Sequence, residues 1–285
     1  MAHGDGWDLA FGDHLTPELT VMRRLGGGSS YEAWLAFDEI TWSPVVAKVL
    51  RPHLVDDARS LAALEREALA LATVNHPVVV RGLRHTVEGP RPHLVMEQAD
   101  GPRLSTLLRR HGPLQEQQYL PLALDLASVL HYLRHVGWVH LDVKPSNVIM
   151  GAPARLIDLS VARPVAEAAA LRTPIGTDAY MAPEQCDPER LGGPTPASDV
   201  WALGATLHEA VTGERAFSGT ADQPHPQLVR RAPALGRRVP AEVREVVAST
   251  LDPDPAARPS PSEVSETLQP VLERQPAARL TYKVR

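Results

Sequence analysis

Four side chains able to handle a proton, a phosphoryl group or a metal ion fall within eight positions in GWVHLDVKPSNVIM: His140, Asp142, Lys144 and Asn147. They follow directly on a long helical pattern. The apolar run RLIDLS then delivers Asp158 at its end. Oxygens of Asn147 and Asp158 suit Mg²⁺, which takes carboxylates, waters and phosphate oxygens. Asp142 can accept or orient the proton of a hydroxyl, and Lys144 can neutralise charge on a group in transit. The plainer reading is a polar helix-to-strand loop closed by an Asx-turn. So tight a pattern favours chemistry.

A second set of residues is weaker taken one at a time. LGGGSSYEA lies between two strand-like runs and holds Gly26, Gly27 and Gly28. Gly26 and Gly28 would let backbone N–H groups approach phosphates without a Cβ in the way. Alone, the segment reads as an ordinary hairpin. Lys48 sits on the apolar run SPVVAKVL, where a lysine could equally snorkel to solvent. Glu67, on the following helical pattern, could face Lys48; a solvated glutamate, like its neighbour Glu65, is the bland alternative.

The lysine count sharpens both sets. Of 29 Lys and Arg residues only Lys48, Lys144 and Lys283 are lysine. A bias towards arginine can replace lysine wherever only positive charge matters, but not where a compact ammonium must fit one place. Lys283 lies in a polar tail and reads as incidental. The other two sit inside the two sets above.

The elements that must position these residues follow from pattern. Residues 1–16 read as a flexible leader. TVMRRLGGGSSYEAWLAFDEI reads as strand, glycine turn, strand, and SPVVAKVL as a third strand. Leu61, Leu64, Ala68, Leu71 and Val74 have helical spacing that stops at NHP. PVVVRGLRHTVEG and HLVMEQ read as two more strands. ADGP, 99–102, is a turn-prone connector. Helices then dominate: LSTLLRRHG, LQEQQYLPLALDLASVLHYLRHVG, ASDVWALGATLHEAVTG, PAEVREVVASTL and SPSEVSETLQPVLE. The stretch 214–239 reads as irregular with one short helix. The expectation is an α+β fold with a small sheet-based lobe over 17–98, a connector at 99–102, a larger helical lobe over 103–274 and a tail at 275–285.

Composition bounds the rest. With 285 residues, 44% of them hydrophobic, the chain can bury a sizeable core, which excludes collagen, coiled coil and wholesale disorder. A net charge of -5 gives no electrostatic reason to expect nucleic acid or an anionic membrane as partner. One cysteine, Cys186, points to a reducing compartment and reads as a packed thiol. The N-terminus lacks a signal-peptide pattern and no apolar run reaches the ~20 residues that span a bilayer. The expected location is therefore cytoplasmic. The twelve histidines show no metal-ligand spacing, and LVRRAPALGRR reads as solvated surface.

With these residues in view, the chain resembles a eukaryotic-type protein kinase of the bacterial serine/threonine branch, from about Thr20 to about Leu272. HLDVKPSN is similar to the family's catalytic loop HRDLKPxN, IDLS stands at its DFG, and GTDAYMAPE is similar to the segment ending in APE. SDVWALG and DPAARPS match further signatures. The resemblance implies a bilobal kinase-like fold, ATP and Mg²⁺ as cofactors, and Ser/Thr hydroxyls of proteins, the chain itself included, as acceptors. It implies Lys48 on the α- and β-phosphates, held by Glu67; Asp142 as base; Lys144 on the γ-phosphate; and Asn147 and Asp158 as metal ligands. Thr177 would bridge Asp142 and Lys144, Glu184 would pair with Arg258, and Asp199 would brace the catalytic loop. Gly26, Gly27 and Gly28 would cover the phosphates. Ala33, Val46 and Ile149 would enclose adenine, with Met96 as gatekeeper and Glu97 to Ala99 as hinge.

Four departures from the family pattern matter. Tyr31 replaces the third loop glycine. Ala33 and Val46 exchange the usual residues of the adenine pocket, a volume-conserving swap. Leu141 replaces the arginine of HRD, which in the family pairs with a loop phosphate. Leu159-Ser160 replaces Phe-Gly, and Ser160 lacks glycine's freedom to flip the Asp158 backbone. These departures keep open a pseudokinase or nucleotide-binding scaffold. A small-molecule kinase ranks lower, because such enzymes usually lack the APE segment and a lysine two residues after the base.

Overall fold

The computed structural model describes residues 6–276. The chain divides into two compact units, Met1–Gly101 with Arg155–Ala162, and Pro102–Ala154 with Arg163–Arg285. The segment 155–162, which carries Asp158, therefore joins the sheet unit, although its sequence position had suggested the helical one.

The first unit is a six-stranded antiparallel sheet with one main helix. Its strands are β1 (His14–Thr16), β2 (Leu19–Gly27), β3 (Tyr31–Asp38), β4 (Ser43–Leu50), β5 (Gly82–Thr86) and β6 (His93–Glu97), in the order β1-β2-β3-β4-β6-β5. Helix α1 is Ala58–Thr73. The period of two sorts the sheet's residues. Trp34, Ala36, Val45, Ala47 and Val49 pack on one face with Leu19, Val21 and Val95 as a closed core. The opposite face carries Ala33 directly across from Lys48, and Val46 directly across from Met96.

The leader expected over 1–16 is structured within its described part. Residues 14–16 form β1, and Trp7 and Leu9 pack against the core cluster. The Trp7 indole N–H donates to the Leu50 carbonyl at 2.7 Å. An isolated tryptophan in a polar stretch has too little pattern for periodicity to register. Residues 1–5 lie outside the described residues.

Helix α1 starts at Asp57, whose carboxylate accepts the Ser60 N–H at 2.8 Å. Such caps contribute about 1 kcal/mol. It buries Leu64, Ala68, Ala70 and Leu71, and among them one charged residue, Glu67. A buried carboxylate needs a partner, so the helix pattern itself calls for a cation. The β3–β4 hairpin is fastened by Asp38, fully buried at the end of β3. It accepts the Arg84 guanidinium through two bonds of 2.7 and 2.8 Å and the Thr41 hydroxyl at 2.8 Å. Those bonds outweigh burial and hold its carboxyl well below the usual range.

The second unit is mainly helical: α2 (Leu104–His111), α3 (Glu116–His135), α4 (Val165–Ala169), α5 (Pro183–Cys186), α6 (Pro188–Leu191), α7 (Pro196–Thr212), α8 (Ala241–Thr250) and α9 (Pro261–Glu273). Short strands β7 (Trp138–Val139) and β8 (Val148–Ile149) flank the HLDVKPSN loop. The region 214–239 is irregular apart from a single 3-10 turn at Pro226–Leu228. Helix α7 is buried along nearly its whole length. Its first turn presents Asp199, whose two oxygens accept the backbone N–H groups of His140 and Leu141 at 2.7 Å each. Burial pushes the Asp199 carboxyl up to about 6 against the pull of those two bonds. Beside it, Glu184 takes the Arg258 guanidinium through bonds of 2.7 and 2.9 Å and the Ser198 hydroxyl at 2.6 Å, all buried. Arg258 also stacks over Trp201 at 5.1 Å. Among the described residues no helix is long and apolar enough to cross a membrane.

Two outcomes follow. In Asp199→Asn one carbonyl oxygen must serve two N–H groups, leaving one buried donor unmatched. Urea unfolding should show a loss of about 1–3 kcal/mol, with faster hydrogen exchange at Leu141 than at the α7 core. For Asp38, a depressed pKa means its stabilisation is complete above the unfolded value of about 3.9 and is lost as pH falls below that. Asp38→Asn should therefore lower the melting temperature clearly at pH 7, and the gap to wild type should narrow by pH 3.

Candidate active site

Three elements of the first unit place three charges together. Strand β4 carries Lys48, α1 carries Glu67, and the turn after Arg155–Leu156 carries Asp158. The Lys48 ammonium donates to Glu67 Oε2 at 2.7 Å, Glu67 Oε1 at 2.9 Å and Asp158 Oδ1 at 2.9 Å. All three of its N–H bonds are thereby engaged. Burial opposes the ammonium, but the two adjacent carboxylates outweigh it and hold Lys48 above its ordinary pKa. For Glu67 burial wins, helped by the Asp158 charge, and its pKa rises. Asp158 also feels burial, yet Lys48 and Ser160 hold it well below the usual range. One cation faces two anions, so the cluster is suited to a further cation.

Asp158 sits at φ 71°, in the left-handed region. Aspartate tolerates this better than most residues. Its Oδ1 accepts the Ser160 N–H at 3.3 Å, and Ser160 itself keeps a negative φ, so no glycine is required there.

The residues proposed around adenine fall in both units. Ala33 and Val46 are half-buried on the Lys48 face, with Met96 buried opposite Val46. The Glu97 side chain is engaged by Arg81, at 3.1 Å, and by Arg155, while Ala99 follows the end of β6 half-buried. Ile149 is buried in β8 of the second unit, where it bridges to Arg103. In the glycine hairpin Gly26 takes φ 148°, and a Cβ on Gly27 would lie 2.5 Å from the Tyr31 carbonyl. Gly28 is engaged internally: its N–H donates to the Tyr31 carbonyl at 3.0 Å, and its carbonyl accepts from Arg51 at 2.7 Å. The residue replacing the third glycine, Tyr31, lays its ring 4.7 Å from the Lys48 nitrogen.

The HLDVKPSN loop of the second unit builds a separate closed ring. The Thr177 hydroxyl donates to Asp142 Oδ1 at 2.6 Å and accepts from the Lys144 ammonium at 2.6 Å. Lys144 also meets Asp142 Oδ2 at 2.6 Å. Asn147 donates its amide N–H groups to the Asp142 carbonyl and Oδ2, both at 3.0 Å. This leaves the Asn147 Oδ1 as the amide's available acceptor, the atom a hard cation needs. The ring also shows what Asp142 can do: a hydroxyl donates to it at a distance from which a proton can be passed.

The loop backbone is strained where this ring begins. Leu141 takes φ 65°, which costs on the order of 1 kcal/mol for a branched residue. Its N–H is held by Asp199, and its carbonyl accepts from Gln185 at 3.0 Å, which also donates to the Ile175 carbonyl at 2.9 Å. Sequence reasoning missed Gln185. It also missed Gln227, whose amide donates to the carbonyls of Asp178 and Met181 and to the Cys186 sulfur at 2.6, 3.0 and 3.2 Å. Nothing in residue type or spacing marks either glutamine. Burial pushes the Cys186 thiol up to about 12, consistent with packing.

The chain is 34% identical over 215 residues to the serine/threonine-protein kinase PknB of Mycobacterium leprae, covering 72% of this chain and 34% of that protein. It is 31% identical over 254 residues to the serine/threonine-protein kinase drp72 of Corynebacterium efficiens, covering 85% and 48%. To PknA of Mycobacterium tuberculosis it is 31% identical over 258 residues, covering 86% and 58%. It thus matches between about a third and three-fifths of the length of these relatives. The family model for the protein kinase domain matches residues 19–282, and the chain belongs to that family.

Proposed function

We propose that the chain transfers the γ-phosphoryl group of ATP to serine or threonine hydroxyls of proteins. The observation that carries this reading is the ring of Asp142, Thr177 and Lys144. It holds a carboxylate in contact with a hydroxyl proton and an ammonium in contact with the same hydroxyl oxygen. A substrate hydroxyl entering that arrangement passes its proton to Asp142 as its oxygen bonds to the γ-phosphorus and the bond to the bridging oxygen of ADP breaks. Lys144 steadies the charge on the group in transit. Lys48, kept protonated and oriented by Glu67, meets the α- and β-phosphates. The relatives' names supply the acceptor class, serine or threonine.

Asn147 and Asp158 would hold Mg²⁺: each keeps an oxygen suited to a hard cation, Oδ1 of Asn147 beside its two donated N–H groups and Oδ2 of Asp158 outside the Lys48 contact. When bound, the ion would neutralise phosphate charge. Ala33, Val46, Met96 and Ile149 are the proposed adenine contacts, with the main chain of Glu97 to Ala99. The glycines 26–28 are the proposed cover of the phosphates. The single buried thiol, Cys186, supports a cytoplasmic compartment.

Leu141 bears on regulation. Its side chain is buried and uncharged, so it offers no partner to a phosphate on the loop, and the loop's backbone is already held by Asp199 and Gln185. Phosphatase-treated protein and Thr173→Ala should therefore keep wild-type transfer from labelled ATP to a generic acceptor. Loss of transfer after phosphatase treatment would count against this. Asp142→Asn should lower transfer by about 10²–10⁴-fold while MgATP still raises the melting temperature. Nucleotide-induced stabilisation with no transfer by wild type would instead point to a scaffold.

A further inference from the structure

The substitution of Tyr31 for a loop glycine changes what Lys48 presents. Ala33 lies directly opposite Lys48, and Tyr31 stands two residues earlier on the same strand, so its side chain projects from the same face of the sheet. The ring lies 4.7 Å from the ammonium, within cation–π range. The other contacts of that ammonium are Glu67 and Asp158, which engage its three N–H bonds. An incoming phosphate thus meets an ammonium with no spare donor and an aromatic ring on its flank.

The ring is not fastened through its oxygen. The Tyr31 hydroxyl is buried and, among the described residues, has no hydrogen-bond partner. A buried unmatched hydroxyl is unfavourable, so the ring is held by its face and not latched by its oxygen. Burial pushes the phenol up to about 12, against the pull of Lys48. The group is neutral at physiological pH, and no phenolate–ammonium pair opposes its release. Two serines separate Tyr31 from Gly28, whose N–H donates to the Tyr31 carbonyl at 3.0 Å, so the backbone of Tyr31 is tied to the hairpin while its ring is not.

We propose that Tyr31 is a cover over Lys48 that a polyphosphate must displace, so that this residue sets the affinity for phosphate-bearing nucleotides and leaves that for adenosine unchanged. The proposal rests on the reading of Lys48 as the phosphate-binding lysine. Tyr31 acts as a positioning residue: it competes with the ligand for one face of Lys48.

The test compares the full chain with Tyr31→Gly and Tyr31→Phe, with Tyr31→Ala in place of the glycine variant should that fail to fold. Calorimetric titration should show MgATP binding about tenfold tighter to Tyr31→Gly than to wild type, the scale of one desolvated cation–π contact. Adenosine should bind all three equally, and Tyr31→Phe should match wild type. Unchanged or weaker MgATP binding in Tyr31→Gly overturns the proposal. So does weakened binding in Tyr31→Phe, which would make the hydroxyl a phosphate contact. A second readout needs no nucleotide. With three lysines in the chain, acetylation by a small anhydride can be followed at Lys48 against Lys144 by peptide mass spectrometry. The Lys48/Lys144 labelling ratio should rise several-fold in Tyr31→Gly, and a ratio unchanged from wild type overturns the cover. If MgATP binds none of the proteins, the kinase reading fails, while the labelling ratio still decides the position of Tyr31.

Discussion

A charge taken out of water must find its opposite, and in the sheet unit that requirement organises everything near the proposed phosphate site. Helix α1 buries a glutamate among leucines and alanines. A lone carboxylate there would lose its hydration without replacement, a penalty of several kcal/mol. Lys48 on β4 supplies the cation, and Asp158 supplies the ammonium's third acceptor. Three pieces of chain far apart in sequence are therefore fixed to one another by the accounting of three N–H bonds. Such an ion cluster need not add net stability, since desolvation and attraction nearly offset one another. It does make alternative placements of α1 and of segment 155–162 expensive.

The helical unit solves a different problem, holding a backbone in a conformation it would not choose. Leu141 in the left-handed region is unfavourable for a branched side chain. The strain persists because both polar groups of that residue are engaged from outside the loop, by Asp199 of α7 and Gln185 of α5. A loop held only by its own hydrogen bonds would relax. Here the anchor is a helix buried along nearly its whole length, so the geometry of Asp142, Lys144 and Asn147 inherits the rigidity of the core. The Asp199 carboxylate is itself under tension, since burial favours its neutral form while two N–H donors favour the charged one.

How much of this was legible in the residues varies with the kind of pattern. Strands β2 to β4 and helices α1, α3 and α7 carry strong periodicity and were readable as elements, because the core imposes that period. Glu67 and Lys48 were each unremarkable in isolation; only their buried pairing in three dimensions distinguishes them from solvated charges. β1 and the Trp7 contact were not legible, because a three-residue strand and a single indole are too short to repeat. Gln185 and Gln227 were invisible for another reason. A neutral amide that serves backbone carbonyls leaves no trace in charge, spacing or hydropathy. Tyr31 was visible as a departure, but the direction of its ring depends on the β3–β4 register and could be read only once Ala33 was known to face Lys48.

The scarcity of lysine also acquires a physical account. Of the chain's 29 Lys and Arg residues, the two lysines in the described part each hold several oxygens on a single nitrogen. Lys48 meets three oxygens of two carboxylates at 2.7 to 2.9 Å, all gathered on one nitrogen. The flat fork of arginine directs its donors within one plane and carries more bulk behind them. Lys144 meets a carboxylate and a hydroxyl oxygen both at 2.6 Å, again within reach of one small head group. Where a guanidinium suits the geometry, as for Arg84 on Asp38 and Arg258 on Glu184, the chain uses arginine and makes two parallel bonds. What sets the two lysines apart is that one nitrogen serves acceptors from two different side chains, whereas each of these guanidiniums spreads its paired bonds over two nitrogens.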